Sequence, residues 1–390
     1  MRIAHFQVGR CNSDSANGVD KTVFHLCRGL AQRGHQVALF SITAKPSFPV
    51  PGVSIKAYRP FWQLLPREIL DDLNMWKPDV VHLHSVYAPQ NRQLSFWLKQ
   101  NRVPYVVTPN GGLSSGAPVK RRLIKALYRL ACEMPLLNDA AFIHAVSRNE
   151  GLREQGVTAP IVAIPNGFDL SAIPQSRSKS ALLKRFPQLD GKFVFMFVGR
   201  LDPRHKGLDL LLAAFAKLKA NHAALVLIGP DWRGHSQQLE NYAQQLGIAA
   251  QVVFTGPAYG VNKFELLGGA DFFVHPSRWE GLPFAVLEAM ALGLPCIVAP
   301  AANPNDVISD GRSGLECAAD IDQLALALQR ALRLEHDELV EMGNRARQLV
   351  DQHFRWDKIV VQMERAYLKH APPVSIRDIA PSELLCASQY

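Results

Sequence analysis

The stretch that decides the fold is FFVHPSRWEGLPFAVLEAMALG, residues 272–293. Its first residues form a short apolar run that ends near His275 and predicts a buried strand. A polar turn with Glu280 and Gly281 follows. Pro283 suits the first turn of the helix that the apolar run predicts over residues 283–292. A strand, a glycine turn and a helix in this order are typical of a parallel α/β sheet.

Comparable strand and helix patterns occur along the whole chain. In the first half we predict strands at Ile3–Val8, Gln36–Ile42, Val53–Tyr58, Asp79–His84, Pro104–Thr108, Ala141–Val146 and Ile161–Ile164. In the second half we predict strands at Phe193–Val198, Ala224–Ile228, Val252–Thr255, Phe272–His275 and Pro295–Ala299. Helical patterns separate them, near 19–34, 119–137, 207–219, 235–246, 259–269 and 283–292. Two such sets indicate an α/β protein with two doubly wound, Rossmann-like domains.

The domain limits follow from composition. We expect a first domain over residues 1–170, a linker over 171–191 that is rich in Ser, Pro and Lys, and a second domain over 192–355. Residues 321–371 predict three helices, of which the last covers 356–371. The tail over 372–390 shows no period, so we expect it to be disordered. Since ligands bind at the carboxyl ends of parallel strands, two facing domains would share a cleft.

Length and composition limit the class of protein. The chain has 390 residues, of which 48% are hydrophobic, and this is too long for a single core. No apolar run approaches the ~20 residues of a membrane-spanning helix, and the first residues do not resemble a signal peptide. The six cysteines are scattered without a CxxC pair, which argues against a zinc site or a disulfide framework. We therefore expect a cytoplasmic protein.

Positive charge is concentrated in the first half. Residues 1–180 contain 22 Lys and Arg against 11 Asp and Glu, whereas residues 181–390 contain 21 against 23. The segment 117–137, APVKRRLIKALYRLACEMPLL, alternates basic and apolar residues. Such a helix can lie on an anionic membrane, here the inner face of the plasma membrane, or it can be a packing helix with a solvated basic face. An anionic acceptor, nucleic acid and an ordinary basic surface are the alternatives for the excess charge.

Two cations follow a predicted strand in the second half. Gly199 and Arg200 come directly after Val198, and Lys206 precedes the next helix. An Arg fork and a Lys point charge on one βα loop can converge on a diphosphate. Two solvated loop cations are the alternative.

Two carboxylates flank the helix start at residue 283. Glu280 lies just before it and Glu288 lies in an otherwise apolar helix, where an unpartnered carboxylate is unfavourable. Each can accept hydrogen bonds from a sugar diol, and the helix N-terminus directs backbone N–H groups at a phosphate or sugar oxygen. No GxxxxGK[ST] or GxGxxG motif is present, which argues against a P-loop enzyme or a dinucleotide-binding protein.

These motifs resemble those of the retaining GT-B glycosyltransferases of family four. The Glu280–Glu288 spacing resembles the E-x7-E signature, and FVGRL with Lys206 and Gly207 resembles the phosphate loop of that family. Further similar segments are GLAQRGHQV at 29–37, IPNGFD at 164–169, VFTGP at 253–257 and Ala270–Asp271. The resemblance runs in order over about residues 1–371.

The resemblance implies a role for each matching residue. Arg200, Lys206 and Glu280 would be the catalytic set, since the two cations neutralise the donor diphosphate and Glu280 holds a hexose hydroxyl. Donor binding would use Gly18, Gly199, Gly281, Leu282, Pro283, Phe284 and Glu288, the last on the ribose. Asn110, which stands where many relatives have a His, would contact the acceptor or sugar. Apart from the resemblance, His84 ends a predicted strand near the cleft and is a second candidate for this contact, for which a structural histidine is the more common alternative.

The family resemblance also implies what the protein acts on. The donor would be a UDP- or GDP-linked sugar, and the acceptor would be a saccharide or a lipid-linked saccharide. The transfer would retain configuration and need no metal ion or other cofactor. The last helix would cross back to the first domain.

Three other classes compete with this interpretation. A catalytically silent nucleotide-sugar-binding or scaffold subunit would lack turnover, and Asn110 in place of a His keeps that alternative open. A sugar-nucleotide epimerase would need no acceptor. A nucleic-acid-binding protein is disfavoured because the basic half has no nucleic-acid motif or aromatic platform.

Overall fold

A computed structural model describes residues 1–9, 18–44, 49–110, 127–147, 152–153, 155–170, 173–174, 176–280, 282–308 and 312–373. The chain forms two compact units. The first contains residues 1–167 together with the chain from Trp356 onward, and the second contains Phe168–Arg355.

The first unit is built on a seven-stranded parallel sheet in the order β3-β2-β1-β4-β5-β6-β7. Its strands are β1 Arg2–Val8, β2 Gln36–Ile42, β3 Val53–Tyr58, β4 Val80–His84, β5 Tyr105–Thr108, β6 Phe142–Ala145 and β7 Ile161–Ala163. All seven strands that the sequence predicts are present, because each is a short apolar run between turn signals.

Helices cover both faces of this sheet. They are α1 Gly18–Gln32, α2 Arg67–Trp76, α3 Pro89–Gln100 and α4 Met134–Asn138, which follows a π-helical turn at Arg129–Glu133. Helices α2 and α3 were missed by the sequence analysis. They pack their apolar residues Ile69, Leu73, Leu94 and Leu98 on one face of the sheet.

The last helix, α13 (Trp356–His370), belongs to the first unit and packs beside α1 on the other face. Gly29 of α1 makes this approach possible, because a Cβ there would lie 2.4 Å from Val360 Cγ2. Val360, Met363 and Tyr367 are buried at this contact.

The second unit has a six-stranded parallel sheet in the order β10-β9-β8-β11-β12-β13. The strands are β8 Phe193–Val198, β9 Ala223–Ile228, β10 Val252–Gly256, β11 Phe272–His275, β12 Cys296–Val298 and β13 Gly314–Glu316. Five were predicted. The edge strand β13 was missed, because GLE is too short to show an apolar run.

The helices of the second unit lie on both faces of its sheet. They are α5 Ser180–Arg185, α6 Pro203–Lys206, α7 Leu208–Leu218, α8 His235–Gln245, α9 Gly260–Leu267, α10 Phe284–Ala291, α11 Ile321–Leu332 and α12 His336–His353. Two buried clusters, one on each face, form its core. The sheets and helices of both units are those of a doubly wound α/β protein.

The segment 171–191, expected to be a linker, contains α5 in the described structure. Leu182 and Leu189 are buried in the core of the second unit, and Lys179 pairs with Asp271 at 2.7 Å. This segment is polar in composition because only a few of its side chains reach the core.

Several expectations fall outside the described residues. They are the loop at 10–17, the basic residues Lys120, Arg121, Arg122 and Lys125, residue Gly281, and the tail from residue 374. Among the described helices, none has the length and hydropathy to cross a bilayer.

Candidate functional site

A short turn of helix positions Lys206 in the second unit. Asp202 caps α6 by accepting a hydrogen bond from His205 N–H at 3.0 Å. Gly207 ends it with φ 68°, and a Cβ at this position would lie 2.2 Å from the carbonyl oxygen of Pro276. Glycine is therefore required where the loop after β8 meets the loop after β11.

Arg278 joins these two loops. Its guanidinium donates to both carboxylate oxygens of Asp209, at 2.8 and 2.7 Å, and to the carbonyl oxygen of Arg204 at 2.8 Å. Its backbone N–H donates to the carbonyl of His205 at 3.0 Å. The His205 ring also stacks on Trp279 with centroids 4.7 Å apart, and its Nε2 donates to the Trp279 carbonyl at 2.9 Å. These hydrogen bonds and the ring stacking together fix the position of Lys206 relative to Glu280.

Lys206 and Glu280 form a nearly buried ion pair, with side chains 12% and 10% exposed. His275, at the end of β11, donates from Nε2 to the same oxygen of Glu280 at 3.1 Å. Burial alone would raise the pKa of Glu280, but the hydrogen bond from His275 and the charge of Lys206 hold that pKa well below its ordinary value. Burial lowers the pKa of His275, so its ring is neutral near pH 7. Glu280 is an ionised acceptor with a second oxygen for a ligand hydroxyl.

Glu288 lies on α10 and is 15% exposed. Its Oε1 accepts a hydrogen bond from Lys263 of α9 at 2.6 Å. Lys263 is therefore the partner that a carboxylate in an apolar helix needs. The sequence alone did not predict this lysine.

Arg200 extends from the end of β8 and stacks over the Trp232 ring, with Cζ 4.3 Å from the ring centroid. A cation over an indole face is held by the ring quadrupole. Gly229 allows the β8 and β9 loops to approach each other, because a Cβ there would be 1.7 Å from the carbonyl oxygen of Gly199.

Helix α10 begins at Phe284, one residue later than predicted, and Pro283 is its N-cap. Leu282 and Pro283 are buried beneath the helix start. The first N–H groups of a helix have no partner within it, so this end can bind an anion. The structure therefore places Arg200, Lys206 and Glu280 in the loops that follow β8 and β11, and Glu288 on α10, the helix that follows β11, all within one unit.

In the first unit, His82 belongs to a ladder of hydrogen bonds across β4, β5 and β6. His144 Nε2 donates to the Ile164 carbonyl at 2.8 Å, so its Nδ1 accepts from Thr108 Oγ1 at 2.8 Å. Thr108 Oγ1 in turn accepts from His82 Nε2, and His82 Nδ1 accepts from the Tyr367 hydroxyl, each at 2.6 Å. Both ring nitrogens of His82 and of His144 are thereby satisfied.

His84, a predicted sugar contact, is 2% exposed and forms a 3.0 Å hydrogen bond between its Nε2 and His5 Nδ1. Its Nδ1 has no partner among the described residues. The ring nitrogens of His5, His82 and His84 lie within 4.8 Å of one another, close enough to be metal ligands. Both ring nitrogens of His82 are already hydrogen-bonded, to Tyr367 and Thr108, so in the described structure this ring offers no free nitrogen to a metal ion.

The two other predicted residues of the first unit lie at element ends. Asn110 follows β5 with φ 52°, and its side-chain amide donates to the Thr108 carbonyl at 3.3 Å. Gly18 begins α1, and its carbonyl accepts from Thr22 Oγ1 at 2.9 Å.

Several residues of the candidate donor site were not predicted from the sequence: Lys263, Trp232, His275, Arg278 and Asp209. The signal for His275 was its place at the end of a predicted strand, five residues before Glu280. Lys263 and Trp232 follow other strands, and nothing in their local sequence distinguishes them from surface residues.

Comparison with known proteins agrees with this architecture. Residues 179–349 match the sequence model described as "Glycosyl transferases group 1", and residues 16–172 match the model described as "Glycosyltransferase Family 4". The fold is of the GT-B class. The chain belongs to glycosyltransferase family 4.

Two relatives illustrate the similarity. A GDP-mannose-dependent α-(1-6)-phosphatidylinositol monomannoside mannosyltransferase of Mycobacterium tuberculosis is 29% identical over 236 residues, which cover 57% of this chain and 59% of the relative. A UDP-Gal:α-D-GlcNAc-diphosphoundecaprenol α-1,3-galactosyltransferase of Escherichia coli is 29% identical over 65% of this chain and 66% of its own length. The match thus spans about three fifths of the first of these relatives.

Among solved structures, a sucrose-phosphate synthase of Thermosynechococcus elongatus superposes with a TM-score of 0.75. The superposition covers 99% of this chain and 100% of that protein at 22% sequence identity. This structural similarity supports the assignment of the chain to the GT-B fold.

Proposed function

We propose that the protein is a retaining glycosyltransferase. It would move a hexose-type sugar from a UDP- or GDP-linked donor to a hydroxyl of a saccharide or lipid-linked saccharide. The observation that carries the proposal is the joining of Lys206 and Glu280 by one ion pair, beside Arg200 and the start of α10. This arrangement offers positive charge to a diphosphate and a carboxylate to a sugar hydroxyl within one loop cluster.

The residues of the site suggest how each part of the donor is held. Arg200, Lys206 and the N–H groups at the start of α10 would bind the diphosphate. Glu280 would accept a hydrogen bond from the hexose, and Glu288 would accept from the ribose diol. Gly18, Gly199 and Gly281 would let the backbone approach the donor. Lys263 donates to Oε1 of Glu288, which would leave the second carboxylate oxygen to accept from the ribose.

A same-face reaction would account for the proposed retention of configuration. The bond between the anomeric carbon and the diphosphate oxygen breaks, and Arg200, Lys206 and α10 stabilise the departing charge. The diphosphate oxygen accepts the proton of the acceptor hydroxyl, whose oxygen bonds to the anomeric carbon on the side that the diphosphate leaves. Asn110 and His84 would contact the acceptor or the sugar. No step assigned to these residues uses a metal ion.

The relatives suggest the kind of donor and acceptor. Their names include GDP-mannose and UDP-galactose donors, with phosphatidylinositol monomannoside or diphosphoundecaprenol acceptors. We propose a hexose donor and a lipid-linked acceptor in polysaccharide or glycolipid biosynthesis. Because a lipid-linked acceptor lies at a membrane, we propose that the protein acts in the cytoplasm, in peripheral contact with an anionic membrane.

Thermal unfolding with UDP, GDP, ADP and their sugar conjugates tests the donor site. Saturation with the correct nucleotide at ~100 times its dissociation constant should add roughly 2.7 kcal/mol to the free energy of unfolding. Glu288→Gln should reduce this gain, whereas Glu341→Gln, in an exposed pair on α12, should leave it unchanged. Stabilisation by no nucleotide would refute the proposal. Stabilisation without release of the nucleotide from any sugar conjugate would favour a silent binding subunit. Release of an isomerised sugar nucleotide without an acceptor would indicate an epimerase.

A further inference from the structure

The Arg200 side chain depends on an aromatic ring for its position in the second unit. Its Cζ lies 4.3 Å from the centroid of the Trp232 ring, whereas Arg233 Cζ lies farther from the same ring, at 5.2 Å. Arg200 is exposed, and its guanidinium forms no hydrogen bond or ion pair with the residues that the structure describes. Without the indole, this long side chain would populate many rotamers in water.

The loop that carries the indole is itself held on both sides of the ring. Before the ring, the Pro230 carbonyl accepts a hydrogen bond from the Leu201 N–H at 3.0 Å, which ties this loop to the residue after the arginine. After the ring, the carboxylate of Asp231 accepts from the N–H groups of Gly234 and Ser236, at 2.7 and 2.8 Å. The indole is therefore a fixed platform for the arginine.

An aromatic partner leaves the guanidinium free to bind a ligand. A carboxylate would neutralise the cation and accept from its N–H groups, whereas an indole face attracts the charge and uses none of these donors. The carboxylates next to the two residues in the sequence, Asp202 and Asp231, accept from backbone N–H groups instead. Arg200 therefore keeps both its charge and its N–H donors for an anion.

The charge of Arg200 acts on the loop that carries Lys206. Burial is the main cause that lowers the pKa of His205, and the charges of Lys206 and Arg200 lower it further. His205 directly precedes Lys206 in the chain and stacks on Trp279. The two cations thus act on one small region, which is where the proposed function puts the diphosphate.

We infer that Trp232 is a positioning residue that holds the Arg200 guanidinium over its ring, with the N–H donors free for the donor diphosphate. The inference rests on the proposed function, because that function supplies the diphosphate. Trp232 acts through Arg200, so its contribution should vanish when the arginine is absent. A ring that stacked on the nucleotide base would contribute whether or not the arginine is present.

A double-mutant cycle on nucleotide binding tests the inference. Calorimetric titration of the full chain with UDP and GDP gives the dissociation constant of the diphosphate that binds the wild type. Trp232→Leu should weaken that binding roughly 3–30-fold, and Trp232→Phe, which keeps an aromatic face, should weaken it less. In the Arg200→Met background, Trp232→Leu should change the dissociation constant by less than about twofold, since no cation is left to position.

The matched control is a similar contact in the first unit, where Arg2 Cζ lies 5.3 Å from the Trp76 ring. Trp76→Leu should bind the diphosphate like the wild type. Thermal unfolding of every variant shows whether it folds, and Trp232→Phe takes the place of the leucine variant in the cycle if the latter does not.

The outcomes separate the inference from the proposed function. Binding of neither diphosphate by the wild type would refute the proposed function. Wild-type binding that Trp232→Leu leaves unchanged would overturn the inference alone. An equal loss on Trp232→Leu with and without Arg200 would also overturn it, and would indicate that the indole contacts the base or supports the loop. Equal losses for the leucine and phenylalanine variants would count against it as well, because an aromatic face would then contribute nothing.

Discussion

At the scale of single residues, the proposed chemistry depends most on the position of Lys206. Its side chain is 12% exposed, and its ammonium pairs with Glu280, which also accepts a hydrogen bond from His275. The Asp202 cap, Gly207 and the hydrogen bonds of Arg278 orient the positive charge of Lys206 before a diphosphate binds. Such preorganisation is the main way a protein stabilises developing charge.

Replacing Lys206 with alanine should therefore lower the turnover number for sugar transfer by about 10²–10³-fold, by analogy with other lost charge-stabilising donors. The measurement is the steady-state release of nucleotide at saturating donor. Lys217→Ala is the matched control, because Lys217 is 53% exposed and pairs with Asp322 on the surface. Turnover of Lys206→Ala within a few-fold of the wild type would contradict the proposed mechanism.

The sequence identified the site residues that lie next to strand ends, and it missed those that only the fold brings in. Glu280 and Lys206 stand beside glycine turns after predicted strands, so local pattern suffices to find them. Lys263 reaches Glu288 from a different helix, and Trp232 reaches Arg200 from a different loop. Their roles depend on the order of strands in the sheet, which one sequence does not determine. The strand β13 and the helices α2 and α3 were missed for a related reason, since their local patterns are short or mixed.

At the scale of elements, the histidines of β1, β4 and β6 make the first unit sensitive to acid. Burial lowers the pKa of His5 to about 3 and of His144 to about 4, and it lowers the pKa of His82 and His84 well below the ordinary value. Unfolded histidine titrates near 6.5, so the unfolded chain binds more protons as the pH falls below that value. The stability of the unit is therefore greatest above pH ~6.5 and decreases in acid.

Hydrogen exchange should detect this loss. On going from pH 7.5 to 5.5, with rates corrected for the intrinsic effect of pH, amides of β4, β5 and β6 should lose protection by up to about 1.4 kcal/mol per pH unit for each titrating histidine. The control is the variant His336→Gln, because the exposed ring of His336 lies in the second unit and its loss should leave the profile unchanged. Equal protection of β4–β6 at the two pH values would show that these rings are already protonated or are not buried.

The contact between α1 and α13 gives a second prediction at this scale. Gly29→Val should destabilise the first unit by about 1–3 kcal/mol, because the new side chain overlaps Val360 in a packed interface. The midpoint of urea unfolding measures the change. Adding Val360→Ala should restore part of the loss. A Gly29→Val protein as stable as the wild type would mean that α13 can shift away from α1 at little cost.

At the scale of the whole molecule, the second unit is continuous in sequence and the first is not. The core of the first unit needs Ile359, Val360, Met363 and Tyr367 from the end of the chain. A fragment of residues 168–355 should therefore unfold cooperatively on its own and bind the donor nucleotide. A fragment of residues 1–167 should remain loosely packed until a peptide of residues 356–373 is added.

Circular dichroism with thermal unfolding, alone and with the peptide, measures this difference. The peptide with Tyr367→Phe loses the hydroxyl that donates to His82 and should restore less stability than the unaltered peptide. A fragment 1–167 that unfolds cooperatively without the peptide would contradict the prediction.

The return of the last helix to the first unit also sets an order of events on the ribosome. All residues of the second unit are translated before Trp356 appears, so that unit can finish folding first. At a rate of synthesis of 5–20 residues per second, the sheet of the first unit remains without α13, which covers one of its faces, for roughly 10–40 s. During this interval the buried face of α1 around Gly29 and Leu30 is open to solvent and to chaperones. The first part of the chain to be synthesised is therefore the last to mature.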